Sequence, residues 1–182
     1  MKTLASLVCA LTLAAAYAQD SFPSGPPVGE KLSEFKALSF WGPDAGKEVQ
    51  LLKEGTGPTL VVFVHQLTRP AFQFIRPVDK YAAELAEDKL KTHLVWLTDD
   101  KDKTEQFLNR AKNSLKLESP VSICLDGKDG PPAYGLNDKV TLTVLLSKDN
   151  KVVANFSLVD PSGRDSEKVK AAMAKLMGKK LP

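Results

Sequence analysis

Residues 57–74 read "GPTLVVFVHQLTRPAFQF". A Gly-Pro turn leads into Thr59–Gln66, a continuous β-branched and aromatic run that suits a strand buried on both faces, as in a parallel sheet. After Pro70 the period changes. Phe74, Ile75, Val78, Tyr81, Ala82 and Leu85 recur at three and four residues, which predicts an amphipathic helix from Ala71. Pro77 lies inside that helix and is expected to kink it, since proline lacks the N–H and its ring crowds the preceding turn. Strand, short turn and helix in this order begin an α/β unit. The turn itself, Thr68-Arg69-Pro70-Ala71, is where such a unit presents its chemistry.

Working outward, "LSEFKALSFWG" and "KEVQLL" bracket "GPDAG" and predict an N-terminal hairpin. "THLVWLTDD" (92–100) is a second buried-type strand. "DKTE" predicts a capping box of Asp102 with Glu105, and the helix after it carries Phe107, Leu108, Ala111 and Leu115 on one face. "SPVSICLDG" is a short strand, and "KDGPPAYGLNDK" a loop. "VTLTVLLSKDNKVVANFSLV" is a hairpin around Lys148-Asp149-Asn150, because Asp and Asn tolerate positive φ. A last helix is expected from Asp165 or Ser166, ending at Gly178. The order β-β-β-α-β-α-β-β-β-α implies a mixed sheet with a parallel portion and antiparallel edges.

The 182 residues suit one domain. Residues 1–18 read as an export signal: Lys2, the apolar run "LASLVCALTLAAA", and Ala16-Tyr17-Ala18 before a cleavage at Gln19. The run is shorter than the roughly 20 residues of a membrane span, and no later stretch is apolar enough to be one. Export to a periplasm or to the outside is therefore expected. Residues 19–27 are rich in Pro, Ser and Gly and read as an extended leader, with the domain at 28–182. Net charge is +3, with 25 basic and 22 acidic residues interspersed. That lacks the basic stripe of a nucleic-acid binder.

Cys9 falls inside the signal, so the exported chain keeps Cys124 alone and no internal disulfide is possible. His65 and His93 are the only histidines, and two imidazoles with no clear third ligand make no metal site. No cofactor is expected. Asp99 and Asp100 read as a turn leading into a helix, Arg69 and Arg76 as solvated residues flanking the helix start, and Trp41 and Trp96 as core aromatics. Asn155-Phe156-Ser157 fits a glycosylation sequon but lies in a predicted strand.

Four segments together resemble the thioredoxin superfamily, closest to its exported peroxiredoxin-like or alkyl hydroperoxide reductase-like (redoxin) members. They are "VGEKLSEFKAL", "GPTLVVFVHQLTRPAF", "LVWLTDDKDKTEQFL" and "DGKDGPPAYGLNDKVTLTVLLSKDNKVV", covering about residues 28–178. The resemblance implies a thioredoxin-like α/β fold, a mixed central sheet flanked by helices with an N-terminal β-hairpin extension, and a role in redox homeostasis. It also implies Cys-x-x-Cys, or the peroxiredoxin Thr-x-x-Cys, at Thr68 to Ala71, and a cis-proline facing it where Thr141 stands. A thiolate belongs there because free N–H groups and the helix dipole lower its pKa. This chain has Thr68 and Ala71 instead. The sequence therefore predicts a degenerate site (Thr68, Arg69, Pro70, Ala71, Thr141) in a non-catalytic binding or stabilising module. Its protein or peptide partner would lie along Thr68–Ala71 and Val140–Thr141 by main-chain strand addition. The alternative is a thiol-dependent antioxidant protein working through the single Cys124, which packs as a small hydrophobe in the simpler reading.

Overall fold

The computed structural model describes residues 22–53, 55 and 57–180. The expected signal segment and the first residues of the leader lie outside them. The elements are β1 (Phe35–Trp41), β2 (Glu48–Leu51), β3 (Pro58–Val64), α1 (Arg69–Glu84), β4 (Lys91–Trp96), α2 (Lys101–Leu115), β5 (Val121–Cys124), β6 (Leu142–Lys148), β7 (Lys151–Leu158) and α3 (Gly163–Leu176). Their order is the one read from the sequence. Single turns of 3-10 helix at Ala86–Asp88 and Pro132–Tyr134 interrupt the connections.

The sheet runs β2-β1-β5-β4-β3-β6-β7. β3, β4 and β5 are parallel, while β1 pairs antiparallel with β5 and β6 with β3. The crossovers β3–α1–β4 and β4–α2–β5 step the same way across the sheet, so one hand of crossover puts both helices on one face. There Leu60, Val62, Val64, Leu94, Trp96, Val121 and Ile123 meet Phe74, Ile75 and Val78 of α1, Leu108 and Leu115 of α2, and Val169 and Met173 of α3. α1 runs unbroken through Pro77.

The opposite face carries Val61, Phe63, Val95, Leu97, Cys124 and Leu145, and among the described residues no α-helix packs on it. Leu32, Phe35 and Tyr134 pack there instead. Tyr134 stands edge-on to Phe35 and Phe63, with centroids 5.4 and 5.3 Å away, the two Phe rings are tilted at 5.7 Å, and the Tyr134 hydroxyl donates to the Ser33 carbonyl at 2.6 Å.

Three local readings need correction. Residues 22–27, before Val28, already make ordered contacts. Asn155 Nδ2 donates to the Ser24 and Pro26 carbonyls at 2.9 Å each, and Gly29 N–H donates to Val152 O at 2.9 Å. Six residues expected as leader are thus a strap across β6 and β7. Gly25 permits this approach. Its φ is +82°, and an added Cβ would stand 3.1 Å from Thr143 Cγ2. Secondly, Asp100, not Asp102, caps α2, accepting from Lys103 N–H at 3.0 Å. Thirdly, α3 starts two to three residues early, on a capping box of Ser162 with Asp165. The last hairpin closes on Asp149-Asn150 alone, both at positive φ (51° and 62°), since Lys148 already pairs with Lys151.

Candidate functional site

α1 begins at the C-terminal end of β3, at the rim where ligands meet open α/β sheets. Thr68 is its N-cap, and its Oγ1 accepts the Ala71 N–H at 3.2 Å. Pro70 occupies the first turn, where its missing N–H is not needed. Ala71 is fully buried. The hydroxyl at residue 68 therefore does a structural job at the point where a thiolate would be activated. Arg69 is exposed, and the Arg76 guanidinium lies 5.3 Å above the Phe72 ring.

Thr141 lies beside the His65–Gln66 segment that leads into α1, and every polar group on it is engaged inside the fold. Its N–H donates to Leu158 O at 2.8 Å, and its C=O accepts from His65 N–H at 3.1 Å and Gln66 N–H at 3.3 Å. Its Oγ1 donates to Val159 O at 2.6 Å. Val140 N–H donates to Asn137 O. The expected strand addition along Val140–Thr141 thus lacks free main-chain donors.

Cys124, the one cysteine among the described residues, ends β5 opposite Ala37, two strands from the α1 turn and on the face without helices. It is 3% exposed. Burial pushes its thiol up to about 11.

His65 sits just past β3, and its Nε2 shares a 3.0 Å hydrogen bond with Thr143 Oγ1. Thr143 Oγ1 in turn meets Ser24 Oγ at 2.5 Å, and Ser24 Oγ accepts the Asn137 N–H. The strap, β6 and the end of β3 are thereby joined through one buried polar chain. Burial lowers the His65 pKa to about 4, and the His93 pKa likewise to about 4. His93 pairs with Val61 across the parallel strands, four residues before His65's level. That is about 13 Å at the rise of a strand, too far to share a metal ion. Asp99 and Asp100 serve turns: Asp99 Oδ1 accepts the Lys128 N–H at 2.9 Å. Trp96 is 5% exposed in the helix-side core, and Trp41 packs half-buried against that core.

Two features escaped the sequence reading. One is the Ser24–Thr143–His65 chain, whose members lie 78 and 119 positions apart. The other is Asp79. It is buried on α1 and accepts the Glu118 and Ser119 N–H groups at 2.7 and 3.1 Å, tying α1 to the segment before β5. Its signal was available. Position 79 stands four after Ile75 and three before Ala82, on the apolar stripe.

No family model matches the chain, and no curated protein matches it in sequence. Solved structures do. A putative thiol:disulfide interchange protein DsbE from Chlorobium tepidum superposes with a TM-score of 0.66 at 18% identity, over 84% of this chain and 99% of that one. Peroxidoxin BcpB from Mycobacterium tuberculosis gives 0.58 at 17%, over 81% and 96%. A peroxiredoxin-like protein from Aquifex aeolicus gives 0.59 at 14%, over 86% and 90%. The chain has the thioredoxin-like fold, in the form shared by disulfide-interchange and peroxiredoxin-like proteins. Among the described residues, no helix is long and apolar enough to cross a membrane.

Proposed function

We propose that this chain is an exported, non-catalytic binding module built on a thioredoxin-like scaffold. One observation carries the reading: Thr68 and Ala71 occupy the activated turn, while Cys124 is enclosed on a strand with a raised pKa. Dithiol exchange needs a thiolate that attacks and a second thiol that resolves the mixed disulfide. Cys124 offers neither field nor access. Recognition then rests on side chains around the turn at Thr68 and the neighbouring rim, because the backbone at Thr141 is engaged. Export rests on residues 1–18. The purified mature protein is expected to begin at Gln19.

The test is insulin reduction with dithiothreitol and hydroperoxide consumption with a thioredoxin-reductase system, on wild type and Cys124→Ser. Both proteins are expected to stay at the uncatalysed background. Turnover by wild type that Cys124→Ser abolishes would replace this reading with the single-cysteine peroxidase.

A further inference from the structure

The rim of the sheet holds a groove beside the α1 turn, of about 450 Å³, between the ends of β3 and β4 and the first half of α2. Leu67 and Trp96 line its inner side. Lys103, Thr104, Phe107 and Arg110 line the outer side. Positions 103, 107 and 110 share one stripe of a helix, spaced four and three apart. Leu108 and Leu115 are the α2 residues buried in the core, so this stripe is displaced from the buried one and faces the rim.

Two properties set the groove apart. Phe107 is 39% exposed, an aromatic left at the surface next to Leu67 and Trp96. Among the described residues, no carboxylate lines the groove, and neither the Lys103 nor the Arg110 side chain has a hydrogen bond or ion pair. Of the acids at the start of α2, Glu105 pairs with Lys101 at 3.6 Å and Asp100 caps the helix. Two unpaired cations over an aromatic floor complement a ligand that has an apolar body and an anionic head. The volume falls in the range of small-molecule sites, roughly 300–1,000 Å³.

We propose that this groove binds a small amphipathic organic anion: an aromatic or aliphatic body seated against Phe107, Leu67 and Trp96, with a carboxylate or sulfonate head held by Lys103 and Arg110. The site deepens the binding-module reading above and rests on it. Thr104 Oγ1 already donates to Thr98 Oγ1 at 3.0 Å, so the charge of the head is met by the two cations and not by that hydroxyl.

The experiment titrates the mature protein with 8-anilinonaphthalene-1-sulfonate, and in parallel with the neutral N-phenyl-1-naphthylamine. Wild type is expected to bind the sulfonate saturably, and more weakly in 0.5 M NaCl. Lys103→Gln/Arg110→Gln should weaken the sulfonate about tenfold and the neutral probe less than about twofold. Phe107→Ala should weaken both about fivefold. These are exposed positions, and circular dichroism of each variant is the check that it folds. In Trp41→Phe, energy transfer from Trp96 to the bound sulfonate should persist. Absent saturable binding, unchanged affinity in the double charge variant, equal loss of both probes, or no transfer from Trp96 each overturns the proposal. Such a failure leaves the insulin and hydroperoxide assays as the separate test of the reading beneath it.

Discussion

The two faces of the sheet are built by different means. The helix side is closed by α1, α2 and α3, and its buried side chains are almost wholly apolar, with Asp79 the charged exception. The other side is closed by the strap at 22–30, the Tyr134 turn and Leu32, and it buries Ser24, Thr59, Ser122, Thr143 and Ser147. A helix satisfies its own backbone, so what it lays on a sheet can be purely apolar. An irregular segment brings unsatisfied N–H and C=O groups, which must be met on arrival. Asn155, Ser157 and the Ser24 hydroxyl meet them here. The comparison teaches that polarity beneath a loop-covered face need not be catalytic. His65 and Cys124, the two residues with the most reactive chemistry, both belong to that face.

The contrast can be broken by substitution. Phe74→Ala removes a fully buried ring from the helix side and should cost about 3–5 kcal/mol in urea unfolding. A loss below about 1 kcal/mol there would mean the helix side is not the close-packed one. Asp79→Ala strands the buried Ser119 N–H and the part-buried Glu118 N–H and should cost about 2 kcal/mol, with hydrogen exchange rising at both. Ser24→Ala on the strap side should cost about 1 kcal/mol and speed exchange locally at Asn137, leaving α1 protected. Exchange spreading evenly through α1 would show that the faces are not separable.

The smallest effect sharpens the comparison through pH. His65 and His93 have folded pKa values near 4, below the ordinary 6.5. The unfolded chain therefore binds more protons than the folded one between about pH 6.5 and 4. Stability is fully present above 6.5 and declines as pH falls through that window. His65→Gln should flatten part of the decline. An unchanged profile in both His65→Gln and His93→Gln would place the titrating groups elsewhere.

Most of the fold was legible because its long elements carry strong periods. Thr59–Gln66, the Phe74–Leu85 stripe and the Val140–Val159 hairpin each name their own structure. The residues of the turn before α1 were equally plain, since Thr68 and Ala71 are local facts of sequence. What stayed hidden was non-local. Nothing near "DSFPSGPPVG" announces that Ser24 will meet Thr143, because the Pro/Gly composition of a strap is also that of a leader. The engagement of the Thr141 backbone followed from where β7 ends, which no single segment encodes. Helix starts slipped by a few residues because Asp99, Asp100 and Asp102, or Ser162 and Asp165, are all capping types.

The central claim is that this scaffold retains no nucleophilic thiol. Iodoacetamide alkylation of native mature protein, followed by mass spectrometry across pH 6–11, reads it directly. The account predicts slow labelling of Cys124 with no inflection below pH 10, and fast labelling only after denaturation. Rapid labelling of the native protein at pH 7, with a midpoint below about 8, would contradict it.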